Sequence, residues 1–339
     1  MITVLAGGVG AARLLAGLVL VQPADGITAI VNTADDEIIH GLSISPDLDT
    51  ITYTLAGAID PARGWGLAGE SWAAMDALDR YQPFRPPDSG AANTWFRLGD
   101  RDLATHLYRS ARLAEGADLT TVTNEIARAW GVQVRLVPMT DDRVATRLTV
   151  AAGAAEGSAG DGSAAGGGVA DGGGSTEISF QDYFVRLRHG VAVSSIRYHG
   201  ADEALPNPIA LEAIDRAERI LIAPSNPLLS IAPILAPSGM RERLIARRDD
   251  VVAVSPIVNG AAVKGPADRL LTELGFEASV VGVARLYAEI ASTLVVDETD
   301  SHHRAAVEAC GMACLVTGTV MRTPVEAAAL ARVLLGKAG

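Results

Sequence analysis

The sequence predicts an α/β fold, a Rossmann-like and mostly parallel, doubly wound sheet with a helical insert. Three observations predict it. Short apolar runs of strand length recur in both halves of the chain, and a stretch with helical spacing follows each. The first run, Ile2-Thr3-Val4-Leu5-Ala6, leads without a gap into Gly7-Gly8-Val9-Gly10 and then into Ala11-Ala12-Arg13-Leu14-Leu15, where a helix is expected to start. The later runs end in small polar residues or aspartate, as strands do when a ligand lies at the carboxyl edge of a parallel sheet.

At 339 residues the chain can bury a large core and exceeds a typical domain. No clean cut is visible, so residues 1–339 are read as one Rossmann-like domain with the helical insert at residues 60–130. Hydrophobic residues make up 49%, which fits a soluble globule. The formal charge of −12 leaves no basic footprint, so neither a nucleic acid nor an anionic membrane is an expected partner. With no long apolar run and no basic leader, the expected location is the cytoplasm. Cys310 and Cys314 form a lone C-x-x-x-C pair, far short of a zinc set, and are expected as buried reduced thiols. Lys264 and Lys337 are the only lysines, so nearly all positive charge is arginine.

The opening strand, glycine turn and helix form the geometry that aims backbone amides and the positive end of a helix dipole at a phosphate. Gly7, Gly8 and Gly10 let the backbone approach such an anion. A second strand at residues 27–31 ends in Asn32-Thr33-Ala34-Asp35-Asp36. Residues 47–58 read as a helix with Ser45 as N-cap and Pro46 as first helical residue. Leu48, Ile51 and Leu55 form its buried stripe. Asp47 and Asp49 point about 200° apart around it, so both cannot decorate one solvent face. The helix dipole alone favours acids in a first turn, and that plainer reading competes with a functional one. Asp60 follows the helix end.

Trp65, Trp72 and Met75 surround a helix expected from about Glu70 and read as core or interface. Residues 81–94 are a proline- and glycine-rich loop. Asp100 suits the N-cap of a helix running through Leu107, and His106 in it reads as a structural histidine. Arg97 and Arg101 suit phosphate or carboxylate recognition, or equally surface ion pairs with Asp100 and Asp102. A helix is expected at residues 118–130 and strands at 132–138 and 143–150. Residues 151–176, made of little but Ala, Gly, Ser and Asp, read as a flexible insertion. It extends the tip of a hairpin whose second arm resumes near Ile178. In the second half, strands are expected at 219–223, 251–254, 293–296 and 313–316. Ser225-Asn226 follows the first of these, where a ligand would lie, though the pair also makes a good turn. Lys264-Gly265-Pro266 precedes a helix at 267–274, as an anion site or as an exposed lysine.

Several of these stretches, taken together, resemble one family. They are Gly7-Gly8-Val9-Gly10, Asn32-Thr33-Ala34-Asp35-Asp36, Ser43-Ile44-Ser45-Pro46-Asp47-Leu48-Asp49-Thr50 and Leu98-Gly99-Asp100-Arg101-Asp102-Leu103-Ala104-Thr105-His106. The match continues through Pro224-Ser225-Asn226-Pro227, Val252-Ala253-Val254-Ser255-Pro256-Ile257 and Lys264-Gly265-Pro266-Ala267. The family is that of the transferases that build the deazaflavin coenzyme F-420, the 2-phospho-L-lactate transferases and their actinobacterial phosphoenolpyruvate-transferring relatives. The resemblance implies transfer of a phosphorylated three-carbon acid from a guanosine diphosphate conjugate to the ribityl hydroxyl of 7,8-didemethyl-8-hydroxy-5-deazariboflavin (Fo), with release of GMP and a requirement for Mg²⁺. It implies that Asp49 and Arg97 contact the deazaflavin. The glycine loop and Ser225-Asn226-Pro227 belong to the nucleotide side, Asn32 joins them as a substrate-binding candidate, and a homodimer is expected. The insertion at 151–176 departs from the family pattern and leaves these motifs untouched.

On this reading Mg²⁺ is held by one or two of Asp47, Asp49 and Asp60. Asp49 is also suited to accept the hydroxyl proton, and the sequence leaves these roles open. Asp47 and Asp49 are the catalytic candidates; glycine-loop amides, Arg97, Arg101 and Lys264 would stabilise phosphate charge. The donor acid, phosphoenolpyruvate or 2-phospholactate, also stays open, with an actinobacterial-type composition favouring the former. A nicotinamide-dependent oxidoreductase is disfavoured because Gly8-x-Gly10-x-x-Arg13 lacks the third glycine of that fingerprint. A non-enzymatic nucleotide-sugar-binding regulator, of the related gluconeogenesis and morphogenesis factors, has a similar glycine loop. Here Glu37-Ile38-Ile39-His40-Gly41 leads into Ser-Pro-Asp-Leu-Asp-Thr instead, which favours the transferase.

Overall fold

Every residue of β1 (Ile2–Ala6) and β2 (Ile27–Val31) is buried, and alternate side chains enter different cores. Leu5 and Ile30 join one apolar cluster, while Val4, Ala6, Ala29 and Val31 join another. Burial on both faces is what a parallel sheet covered by helices on each side demands. The chain is seen in a computed structural model that describes residues 1–86, 89–91, 93, 95–154, 170–171 and 174–337.

Five further strands complete the sheet: β3 (Arg135–Pro138), β4 (Arg219–Ile222), β5 (Val251–Val254), β6 (Thr293–Val296) and β7 (Ala313–Val316). Their spatial order is β7-β6-β5-β4-β1-β2-β3, with every neighbouring pair parallel. The chain runs outward from β1 to β3, then returns to build the other side from β4. The seam between β1 and β4 is therefore the topological switch point, and a crevice opens outside the carboxyl ends of those two strands. The Rossmann-like, doubly wound expectation is met.

Helix α1 (Gly8–Leu18) begins within the glycine loop, three residues before the expected start. It packs on one face of the sheet beside α2 (Pro46–Leu55) and the last helix, Pro324–Leu334, through Leu14, Leu18, Leu48, Ile51 and Leu330. α2 stops at Leu55 rather than residue 58. Ser45 occupies its N-cap position, but the hydroxyl donates to Asp36 Oδ2 (2.6 Å) and caps nothing. Before α2 lies a hairpin that periodicity did not reveal, Glu37–Ile39 against Leu42–Ile44.

Between β2 and β3 the described residues also form the short helix Ala73–Leu78, α3 (Asp102–Ala114) and the helix Leu119–Ala129. The first starts later than Glu70, and α3 runs a further two turns past Leu107. Two acids trade places with expectation. Asp100 caps Ala73–Leu78, accepting from the amides of Ala73 and Ala74, whereas Glu70 accepts from the amides of Arg101 and Asp102 at the start of α3. Each satisfies another helix's orphan N–H groups, a pairing that local sequence cannot show.

The strands Ala145–Ala151 and Ser175–Ser179 pair antiparallel as arms of one hairpin, with Val193–His199 on the other side of the first. Most of the low-complexity stretch expected to be flexible, residues 155–169 and 172–173, lies outside the described residues. Cys314 is buried as expected, but Cys310 is only half-buried; both are free thiols. No helix among the described residues is long and apolar enough to cross a membrane.

The helix pair α1 and Pro324–Leu334 touches at Gly17, where an added Cβ would collide with the backbone of Ala327. Gly17→Ala is expected to cost about 1–3 kcal/mol, read as a lower denaturation midpoint at unchanged slope. Gly318→Ala, with no atom within 4 Å of the new methyl, is expected to stay within about 0.5 kcal/mol. Equal midpoints for the two variants would contradict this close packing.

Candidate active site

A cavity of about 800 Å³ occupies the crevice at the switch point. The first turn of α1, the loop after β4 and the first turn of α2 form one wall. The segment 63–72, residues 95–98 and α3 form another, and Phe180–Val185 with residues 263–267 close the rest.

Gly10 lies so close to the loop after β4 that a Cβ would collide with the carbonyl oxygen of Pro224. Ser225 Oγ donates to Gly7 O (2.7 Å), tying the same two loops together. The Gly8 amide, which the sequence suggested for a phosphate, instead donates to Asp47 Oδ1 (2.8 Å). Asn32 Nδ2 sits between two carboxylates, 3.0 Å from Asp35 Oδ2 and 3.0 Å from Asp47 Oδ2. Asn32 therefore organises acids, and Asn226 caps the helical turn Pro227–Ile231 through Oδ1. Pro227 is buried away from the cavity; Ser225 and Asn226 line it.

Asp47 and Asp49 are both buried, at 8% and 6% exposure, and face opposite ways as the helical spacing required. Asp47 meets the glycine loop. Asp49 forms a bidentate pair with Arg109 of α3, through Nη2 to Oδ1 and Nη1 to Oδ2 (3.1 Å). His106, also buried, places Nδ1 3.7 Å from Asp49 Oδ2 and Nε2 3.3 Å from Asp102 Oδ2. Tyr53 OH donates to Asp102 Oδ1 (2.6 Å). Asp60 is elsewhere: its Oδ1 accepts from the amides of Ala62 and Arg63, and it does not line the cavity. The set Asp47, Asp49 and Asp60 is thus not assembled.

Burial, then repulsion from Asp47 and Asp36, holds the Asp35 carboxyl well above the usual range. Burial also pushes Asp47 up to about 6, against the hydrogen bonds from Asn32 and Gly8. Asp35 Oδ1 is buried with no hydrogen-bond partner among the described residues. Two adjacent buried carboxyls with an orphaned oxygen are a natural seat for a cation.

The positive groups gather near the glycine loop. Lys264 Nζ donates to Arg63 O (3.0 Å) and Arg13 Nη1 to Met321 O (3.1 Å). Among the described residues neither shows a carboxylate partner, and burial followed by the nearby Arg13 charge lowers the Lys264 pKa. Two like charges near one another, without counter-ions among the described residues, suit an anion. Arg97 also lines the cavity, ion-paired to Asp76 and Asp79, with its guanidinium 6.0 Å from the Trp72 ring. Arg101 turns outward to Ala68 O (2.8 Å) and does not line it. Trp65 and Trp72, read as core or interface, stand at the cavity, together with Trp95, Phe96 and the stacked rings of Phe180 and Phe184 (5.3 Å).

Five residues of the site escaped the sequence reading. Arg13 was noted only as the residue spoiling a glycine fingerprint. Asp35 stood in a motif without a role. Arg109 lies one turn beyond His106 on an amphipathic helix, a weak signal available in principle. Phe180 and Phe184 gave none, because only the hairpin Ala145–Ala151 and Ser175–Ser179 brings them to the crevice.

Comparison with known proteins agrees with this architecture. The family described as 2-phospho-L-lactate transferase CofD matches residues 2–313. A protein of Kitasatospora aureofaciens named phosphoenolpyruvate transferase is 43% identical, covering 99% of this chain and 97% of that one. Proteins of the same name from Streptomyces griseus (40% identical, covering 98% and 96%) and Nocardia farcinica (38% identical, covering 100% and 95%) are similar along their lengths. A crystal structure of a UPF0052 family member from Bacillus halodurans shares the fold, with a TM-score of 0.58 at 17% identity over 98% of each chain. On this evidence the chain belongs to the 2-phospho-L-lactate transferase CofD family and is a transferase.

Proposed function

We propose that the chain transfers the phosphoenolpyruvyl group, or the 2-phospholactyl group, from a guanosine diphosphate conjugate to the ribityl hydroxyl of Fo, releasing GMP, in coenzyme F-420 biosynthesis. The observation that carries this reading is the first turn of α2. It presents Asp47 to the glycine loop and Asp49 to α3, so one rigid turn faces two different halves of a single cavity. The half near Arg13 and Lys264 suits a diphosphate. The half lined by tryptophan and phenylalanine suits a flat, fused-ring acceptor. The name carried by the relatives favours phosphoenolpyruvate as the donor acid.

In the transfer, the acceptor hydroxyl oxygen attacks the distal phosphorus of the donor. An O–P bond forms there as the bond to the departing GMP oxygen breaks. Such chemistry rests on positioning and charge neutralisation more than on covalent help. Asp49 takes the hydroxyl hydrogen and orients its oxygen. Arg13 and Lys264 bind the phosphates, and Arg97 stands with the tryptophans on the acceptor side. The orphaned Asp35 oxygen and its neighbour Asp47 fit Mg²⁺, which prefers one or two carboxylates together with substrate phosphates. When bound it neutralises diphosphate charge. Asp49, engaged by Arg109, and Asp60, engaged by backbone amides, are outside this pair.

Turnover should appear with Fo, Mg²⁺ and one of the two guanosine diphosphate conjugates, and Asp49→Asn should retain little of it. No product and no Fo fluorescence change with either conjugate would refute the reading and favour the nucleotide-binding regulator. Asp35→Asn and Asp47→Asn should each raise the Mg²⁺ concentration for half-maximal rate by roughly 10–100-fold. Arg13→Met and Lys264→Met should each raise the KM for the conjugate about 10–100-fold, as loss of a charge-assisted hydrogen bond does, with little change in the KM for Fo.

A further inference from the structure

We infer that Arg109, His106 and Asp102 of α3 form a positioning assembly that fixes Asp49 for the transfer step. The inference rests on the reading of Asp49 as the residue that orients the acceptor hydroxyl.

Asp102, His106 and Arg109 follow at spacings of four and three residues, so they share one face of α3. Arg109 is only 2% exposed. Its guanidinium has hydrogens to give and no lone pair to offer. Nη1 therefore donates both to Asp49 Oδ2 (3.1 Å) and to His106 Nδ1 (3.3 Å), besides reaching Ser43 O (3.3 Å). With Nδ1 accepting, the neutral imidazole carries its hydrogen on Nε2, which faces Asp102 Oδ2 at 3.3 Å. The remaining Asp102 oxygen accepts from Tyr53, one turn beyond Asp49 on α2. Hydrogens thus run from Arg109 to Asp49 and to His106, and from Tyr53 to Asp102, while His106 Nε2 faces Asp102 Oδ2 at 3.3 Å without a hydrogen bond to it. Both ends of the ring return to α2.

This arrangement makes Arg109, and not His106, the partner of Asp49. At 3.7 Å, His106 Nδ1 is too far from Asp49 Oδ2 for a hydrogen bond, and the Arg109 donor already occupies it. Held at both oxygens, Asp49 cannot turn about its own side chain, and its free lone pairs keep one direction into the cavity. A buried ion pair gives little stability relative to an apolar replacement, because desolvation offsets attraction. Fixing the geometry of a reacting group is the use that such a pair serves well.

The test is a double-mutant cycle on turnover with Fo and the conjugate, using Asp49→Asn, Arg109→Met and the two together, with Arg109→Lys, His106→Asn and His106→Ala alongside. Arg109→Met is expected to lower kcat by about 100-fold while leaving the KM for the conjugate near its wild-type value. The double variant is expected to lose no more than Asp49→Asn alone, since residues acting as one unit are not additive. Arg109→Lys, which cannot hold both oxygens, should fall between. His106→Asn, whose amide oxygen can replace Nδ1 as acceptor, should keep a native thermal melt and lose less of the rate than His106→Ala, which offers no acceptor. If Arg109→Met does not fold, Arg109→Lys and the two His106 variants carry the test. Full kcat in folded Arg109→Met or Arg109→Lys, additive losses in the cycle, or equal rates for His106→Asn and His106→Ala would each overturn the assembly and leave the transferase reading standing. An inactive wild-type protein would overturn both.

Discussion

Asp47 accepts a hydrogen bond from the Gly8 amide, and the architecture of the site follows from that bond. It pins the start of α2 to the start of α1. The two helices then share an apolar face on the sheet through Leu14, Leu18, Leu48 and Ile51, while their first turns meet at the crevice. Asn32, at the end of β2, completes the junction by donating to Asp47 and Asp35 together. Three elements of the chain, α1, β2 and α2, are thus joined at one buried polar point. A buried carboxylate is tolerated only when its oxygens are met by donors, and here the donors come from the scaffold itself.

The same junction sets the charge pattern. Asp35 and Asp47 are crowded, buried and pushed toward protonation. Arg13 and Lys264, also on the cavity wall, are cations without carboxylate partners among the described residues, and the Arg13 charge, after burial, helps lower the Lys264 pKa. Among the described residues, two acids that lack a cation and two bases that lack an anion line one cavity. A phosphate-bearing ligand with a divalent ion supplies both deficits at once. Either alone would leave one set unmet, so under the proposed function donor and metal form one requirement.

The fold was legible in the chain because it rests on local signals. Strands such as Ile27–Val31 and Thr293–Val296 announce themselves by continuous apolar character, and their order follows from connection rules. The site was legible only to the level of which stretches meet. Asp47 and Asp49 stood out, but their partners did not. Gly8 is 39 residues from Asp47, and Arg109 is 60 residues from Asp49. Asp60 and Arg101 misled because each is a good ligand type in a suggestive position that backbone satisfies instead, the following turn for Asp60 and the Ala68 carbonyl for Arg101. Asp100 and Glu70 show the converse, since each caps a helix remote in sequence. Residue type gives the capacity for an interaction; tertiary contact decides which capacity is used.

The competing explanation for Asp47 and Asp49 was the helix dipole, which favours any acid in a first turn. That effect is worth about 0.3–1 kcal/mol at an exposed helix end. Both residues are more than nine-tenths buried, where leaving water costs a carboxylate several kcal/mol. The dipole cannot offset that cost. Specific donors are needed, and the chain supplies a different one to each: the Gly8 backbone amide to Asp47 and the Arg109 guanidinium to Asp49. A helix that needed only favourable end charges would carry them in solvent, cheaply and without Asn32 or Arg109. Acids placed at this expense, on opposite sides of one turn and opening into one cavity, are placed for what the cavity does.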